Sequence, residues 1–252
     1  MLTMLEYDKK RKFKHQVKMW VAGAPPPPSL MKEFVKITGV EVTTAYGLTE
    51  TYGPVSLHVP NESSVEKKDS GLVWQTCNTL QEEIAVVDPE NMIEVPDDGE
   101  TIGEVMIRGN LVMNGYLANE DATEKSFKNG WFHTGDLGVR HKNGRFQIKD
   151  RSKDIIISGG ENIPSIEVEN IMMKNNTIAQ VAVVGMAHEK WGEVPCAFVV
   201  LKREAIVPEK EILSWCRDKM PHYYCPKRII FLDDLPKTGT GKVQKQNFRK
   251  ML

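Results

Sequence analysis

Apolar positions along the chain change period several times. Short β-branched or alternating runs at 17–22, 40–45, 83–88 and 103–108 read as strands. Residues 30–38 read as a helix, with Ser29 as N-cap and Gly39 as its stop. A short helix at 119–127 carries acidic residues early, which suits its dipole. Lys142-Asn143-Gly144 is a hairpin turn between strands 137–140 and 145–150. With turn signals at Asp88-Pro89 and 96–99, the stretch holding the strands at 83–88 and 103–108 is expected to be all-β and to curl into a barrel-like subdomain. Past 150 the order is strand (154–158), helix (164–174), strands (178–185 and 194–202), helix (208–220) and strand (228–232). A glycine loop and a basic helix finish the chain. The pattern predicts a mixed α/β fold: part of an α/β sheet with a β-barrel-like subdomain over 1–150, a junction at 151–154, and a small α+β domain over 155–252.

Composition removes several function classes. Charged residues make up 27 % and apolar residues 40 % of the 252 residues, as in an ordinary globular protein. A net charge of -1 disfavours nucleic acid as a partner. No apolar run approaches the ~18 residues of a membrane span, and none is expected. Cys77, Cys196, Cys216 and Cys225 show no C-x-x-C spacing, which argues against a metal site or disulfide framework. The basic run at 8–18 reads as a solvated connector. Pro25 to Pro28 form a stiff segment leading straight into a helix, which disfavours a free proline-rich ligand.

Candidate chemistry concentrates at 131–162 and in two outlying motifs. Thr134-Gly135-Asp136 reads as a tight turn whose carboxylate can accept from two ribose hydroxyls. Asp150 to Asp154 is a charged connector, and Gly159-Gly160 lets backbone approach a ligand closely. In Tyr46-Gly47-Leu48-Thr49-Glu50, the tyrosine offers a flat face to a purine, Thr49 a hydroxyl to a phosphate, and Glu50 a hard oxygen to magnesium. His133, His188 and His222 lack a Ser or Cys elbow partner and read as packing or surface residues, with His133 the one worth mutating.

Three motifs in this order, A-Y-G-L-T-E at 45–50, 131–162, and P-K-T-G-T-G-K at 236–242, resemble the adenylate-forming acyl- and aryl-CoA synthetases. The wording G-A-P-P-P-P, Y-G-L-T-E-T-Y-G-P and P-H-Y-Y-C-P-K is most similar to plant acyl-activating enzymes for short- and medium-chain or aromatic acids. The resemblance implies an ATP-dependent acid–CoA ligase using ATP, Mg2+, CoA and a small carboxylic acid. It implies that Lys242, Thr49 and Glu50 are catalytic, with Glu50 on the metal, and that Thr51, Tyr52 and Gly53 reach the acyl pocket. Gly23, Ala24, Tyr46, Gly47 and Asp136 would hold the nucleotide, Arg151 ribose or phosphate, and Gly159 and Gly160 pantetheine. Lys153 would be the hinge about which the C-terminal domain turns.

The family's T-S-G-T-T-G-x-P-K phosphate loop is not found, so the chain is expected to be the carboxy-terminal half of such an enzyme, with 1–150 the end of its AMP-binding domain. Association with a full-length synthetase is a further expectation. The sequence ends R-K-M-L without an S-K-L-like tripeptide, leaving cytoplasm or peroxisome as the expected compartment. Two alternatives stay open: transfer to a carrier-protein thiol, and a non-catalytic nucleotide- or CoA-binding fragment.

Overall fold

The computed structural model describes residues 13, 15–23, 27–58, 75–78, 83–142, 144–239 and 241–252. Expectations for 8–12, 24–26, 60–70, Asn143 and Thr240 lie outside the described residues. The chain divides into two compact units, Met1–Lys149 and Asp150–Leu252.

In the first unit, β1 (Lys18–Ala22) and β2 (Glu41–Leu48) run parallel, in register from Lys18↔Glu41 to Ala22↔Ala45. The crossover is α1 (Pro28–Thr38), which buries Met31 and Phe34 against Val40 and Val42. The helix opens on Pro28 with Pro27 as N-cap and no side-chain cap, so the expected Ser29 cap is incorrect. Proline supplies the helical φ in advance and has no N–H needing a partner there. Gly39 does end the helix, at φ 70°, and its N–H bonds Val35 O at 2.9 Å. The second strand runs on through Tyr46-Gly47-Leu48 instead of closing at 45.

The remaining strands of this unit are β3 (Gly53–His58), β4 (Gln75–Asn78), β5 (Glu83–Val87), β6 (Gly103–Arg108), β7 (Phe127–Lys128), β8 (Trp131–Arg140) and β9 (Phe146–Arg151, whose last two residues fall in the second unit), with α2 (Glu120–Ser126) before β7. Among the described residues they form one open path, β1-β2-β3-β4-β9-β8-β6-β5, with β7 on β8. The barrel-like subdomain is therefore contradicted. Closure requires the first and last strands of a sheet to pair. Here β4 bonds both β3 and β9 and carries the meander into the α/β sheet, while β5 bonds β6 and lies at the far end of the path. Tyr46, Val55, Val86, Val105, Ile107, Phe132 and Phe146 make the main core of the unit.

The second unit holds β10 (Ile156–Ser158), β11 (Glu161–Ile163), α3 (Ser165–Met172), β12 (Ile178–His188), β13 (Gly192–Leu201), α4 (Glu209–Lys219), β14 (Arg228–Phe231) and α5 (Lys245–Arg249). Its sheet runs β11-β10-β13-β12, with β14 parallel to β13. Alternation along β12 and β13 assigns each side chain to a layer. Val183, Ala197 and Val199 join Val168, Met172, Ile212 and Cys216 from α3 and α4. Ala182, Val184, Cys196 and Phe198 face Leu235 and Phe248 on the other side. From Val194 to Val200 β13 is consequently buried on both faces, and that stretch carries no charged residue.

Phe248 is fully buried and stacks on Phe198 with ring centroids 4.4 Å apart. Phe248→Ala should destabilise this unit by about 3–5 kcal/mol, read as a lowered guanidinium midpoint; a change under about 1 kcal/mol would contradict this packing. Burial also pushes the Cys196 thiol up to about 11 and that of Cys216 up to about 12. Both stay protonated near neutrality, so iodoacetamide at pH 8 should label them only after unfolding.

Candidate active site

The first cluster of candidate residues lies where parallel strands end. Gly23 follows the last residue of β1, at φ 91°, and Ala22 pairs with Ala45 beside Tyr46. The carboxyl ends of parallel strands are where open α/β sheets receive ligands. Ala24 lies outside the described residues. Tyr46 is buried, stands edge-on to Phe146, and donates its hydroxyl to Asp136 Oδ2 at 2.8 Å. This bond joins residues ninety positions apart in the chain. Gly47 has to be glycine: a Cβ there would meet Gly53 O at 1.9 Å.

Asp136 is not on a turn. It sits within β8, where β6 pairs Glu104 with Leu137 and Met106 with His133. The extra residues between those pairs form a bulge, with Gly135 at φ 69°. Four hydrogen bonds hold it. Thr134 Oγ donates to Val105 O at 2.6 Å and accepts from Asp136 N–H at 3.0 Å. Glu104 accepts Gly135 N–H at 2.9 Å on one oxygen and meets His133 Nδ1 at 2.9 Å on the other. The result is a carboxylate on Asp136 that is almost wholly buried and aimed by its neighbours. His133 Nε2 is buried with no hydrogen-bond partner among the described residues.

Thr49 is exposed and Glu50 partly so, in a single 3-10 turn after β2. Glu50 Oε1 accepts from the Tyr116 hydroxyl at 3.0 Å, and Glu50 O accepts from Met113 N–H at 2.7 Å. Burial and the adjoining Glu50 carboxylate both raise the Tyr116 phenol, keeping it a donor at neutral pH. Thr51 is fully buried, and its hydroxyl accepts from Leu48 N–H while lying within bonding distance of Leu48 O and Gly53 O. Tyr52 points out, 90 % exposed at φ 55°.

A one-carboxylate magnesium site fits this donor set: Glu50 offers a hard oxygen, and magnesium commonly takes its other ligands from water and phosphate. Among the described residues no group of three or more His, Cys, Asp or Glu converges for an all-protein cage.

The second unit holds the other candidates. Arg151 and Lys153 are exposed in the turn 151–154, which is closed by Asp154 N–H to Arg151 O at 2.9 Å. Gly159 and Gly160, at φ 61° and 91°, make the two-residue turn between β10 and β11. A Cβ on Gly159 would meet Trp191 at 2.8 Å. A cavity of about 390 Å³ lies beside this turn, lined by Ser158, Gly159, Trp191, His222, Tyr223 and Lys227. Lys242 is exposed on a closed loop. Lys237 bridges Val243, Thr238 N–H meets Lys242 O at 2.8 Å, and Gly241 turns at φ 84°.

Thus Gly23, Tyr46, Gly47, Thr49, Glu50 and Asp136 cluster at one end of the first sheet, while Arg151, Lys153, Gly159, Gly160 and Lys242 belong to the second unit. Sequence reasoning missed Glu104, which orders the bulge, and Tyr116, which orients Glu50. Their partners are tens of residues away, so no local spacing marks them.

A buried carboxylate tied by Tyr46 to the end of a parallel strand is a part suited to reading a nucleoside. Comparison with known proteins gives the class its family: the chain belongs to the AMP-binding enzymes. Residues 1–117 match the family described as AMP-binding enzyme, and residues 167–242 the AMP-binding enzyme C-terminal domain. An acetate–CoA ligase of Humulus lupulus is 46% identical over 93% of this chain, and the peroxisomal benzoate–CoA ligase of Arabidopsis thaliana is 42% identical over 92%. In each case the match covers 43% of the relative, so the chain spans less than half the length of these curated relatives. The solved structure of o-succinylbenzoate coenzyme A synthetase from Bacillus subtilis, in complex with ATP and magnesium, superposes with a TM-score of 0.80 at 31% identity. It covers 98% of this chain and 49% of that one.

Tyr46→Phe tests the central bond. It should lower stability by about 1–3 kcal/mol, because Asp136 loses a donor in a buried setting. Thermal unfolding reads this directly, and an unchanged midpoint would remove Tyr46 as the support of Asp136.

Proposed function

We propose that this chain carries the ribose-binding, lysine and thiol-side machinery of an ATP-dependent acid–CoA ligase acting on a small carboxylic acid. The observation that carries the reading is Asp136, buried, bulged and tied to Tyr46 at the strand ends. In the first half-reaction a carboxylate oxygen attacks the α-phosphorus of ATP, and the bond to pyrophosphate breaks, leaving an acyl-adenylate. In the second, the CoA sulfur attacks the acyl carbon, the bond to AMP breaks, and the thiol proton is released.

Each residue then has a task. Asp136 accepts from the ribose hydroxyls, Gly23, Ala24, Tyr46 and Gly47 border the nucleotide, and Thr49 donates to a phosphate. Glu50 would hold magnesium, which when bound neutralises charge on the phosphates. Lys242 stabilises charge gathered in the first transition state. Residues 151–154 form the hinge between an AMP-binding domain ending near 150 and a mobile domain over 155–252, with Lys153 as pivot and Arg151 reaching ribose or phosphate. Gly159 and Gly160 border pantetheine, and the cavity with Trp191, His222 and Lys227 supports a thiol substrate that ends in a nucleotide. The acid is aliphatic or aromatic, the two relatives being named for acetate and benzoate. The benzoate relative's name also supports a peroxisomal compartment, with cytoplasm as the other.

The purified chain, ATP, magnesium, CoA and a pool of short, medium and aromatic acids should yield an acyl-CoA detectable by mass spectrometry. Lys242→Ala should lower adenylation about 10²–10³-fold. Product formation unchanged by Lys242→Ala would refute the assignment. AMP binding without any product would favour instead a nucleotide-binding fragment that acts beside a full-length synthetase.

A further inference from the structure

The second unit contains a charged network that the chemistry above does not use. Lys245 lies three residues after Lys242, on α5, and its side chain is largely buried, with 14% exposed. Its ammonium meets Glu169 Oε1 at 2.7 Å and donates to Ser165 Oγ. Ser165 in turn donates its hydroxyl to Asp150 Oδ2 at 2.6 Å, and its backbone N–H bonds the same oxygen. The other Asp150 oxygen accepts Arg151 N–H at 2.8 Å, at the first residue of the turn. Glu169 also accepts Val183 N–H at 2.8 Å, which fixes the network to β12.

One helical turn further on, Arg249 donates to Lys153 O at 3.0 Å and to Asp154 Oδ1 at 2.8 Å. Positions 245 and 249 share a helix face. Between them they hold the turn 151–154 at both ends. Burial opposes the charge on Lys245, but Glu169, Asp150 and Asp154 outweigh it and raise the ammonium above the ordinary lysine range. The cation is therefore retained.

The same helix anchors the Lys242 loop. Gln244 N–H bonds Pro236 O at 3.0 Å, and Lys237 bridges Val243, so the loop is closed on the residue preceding Lys245. One short helix thus touches the turn on one side and ends the loop on the other.

We infer that Lys245 and Arg249 are positioning residues that lock the 151–154 turn to the Lys242 loop, so that the conformation of the turn sets where Lys242 stands. This rests on the hinge and lysine assignments made above for its consequence in catalysis, but the mechanical link itself does not. Breaking the link loosens the turn and the loop together and leaves the sheet of the unit intact. Lys242 then meets the phosphates less often in the productive pose, and a displacement of about 1 Å at a reacting group costs up to 10²-fold.

Hydrogen exchange on the whole 252-residue chain tests the link without requiring turnover. Removing Lys245 alone strands a buried carboxylate and risks unfolding the unit. The double variant Lys245→Met with Glu169→Gln removes both charges at once, and Ser165→Ala cuts the relay to Asp150 at a single hydroxyl. In both, amides of 151–154 and of 237–244 should exchange about tenfold faster or more, while those of β12 and β13 stay within about twofold of the parent. Parent-like exchange in both segments, a change in only one of them, or a uniform rise across the unit would overturn the proposal. Adenylation, followed by pyrophosphate exchange, should fall about ten- to a hundredfold in Ser165→Ala, with thioester formation from preformed acyl-adenylate less affected. Lys242→Ala should leave exchange unchanged. If it also leaves adenylation unchanged, the catalytic reading of Lys242 fails while the link stands.

Discussion

The hydrogen bond from Tyr46 to Asp136 is the constraint on which the arrangement of the first unit's candidate site depends. It joins the end of a parallel strand to a bulge in an antiparallel one, and so ties the α/β part of the sheet to the meander. Both partners are buried, and a carboxylate left there without donors would incur a desolvation cost of about 1–3 kcal/mol or more. The open sheet order follows the same logic. Because the meander joins the α/β strands edge to edge through β4, β2 and β8 come to share one core.

Much of this was legible in the sequence because it is local. Gly39 ends its helix where an αL residue is needed, and the Gly159-Gly160 turn follows from two glycines between short strands. The β12–β13 hairpin follows from apolar runs of strand length. What was not legible depends on partners far along the chain. Thr134-Gly135-Asp136 reads as a turn because small and polar residues favour turns. Only pairing with β6 reveals that the same residues are a bulge inside a ten-residue strand. Ser29 has the chemistry of a cap, but a capping side chain is a weaker signal than a proline that already holds the helical φ, and the helix opens at Pro28. Short strands and turns suggest a barrel but say nothing about which edges meet, and here the path stays open among the described residues.

The second unit shows the same division. Its layers follow from period-two alternation, but Lys245 reads in sequence as one more cation in a basic tail. Its buried setting comes from Asp150, Ser165 and Glu169, up to 95 positions away once the Arg249–Asp154 bond is included. Charge patterning alone cannot separate a solvated lysine from one that bridges a turn and the glycine loop. Family membership supplies a reason for such a loop, and geometry supplies its mounting.

The most direct test of the account is calorimetric titration of the chain with AMP and with 2′,3′-dideoxy-AMP, on the parent and on Asp136→Ala. The parent should bind AMP more tightly than the dideoxy nucleotide by roughly ten- to a hundredfold, the size of hydrogen bonds to a charged acceptor. Asp136→Ala should erase that difference. Equal affinities in the parent, or a preference that survives in Asp136→Ala, would contradict the claim that this buried carboxylate reads the ribose.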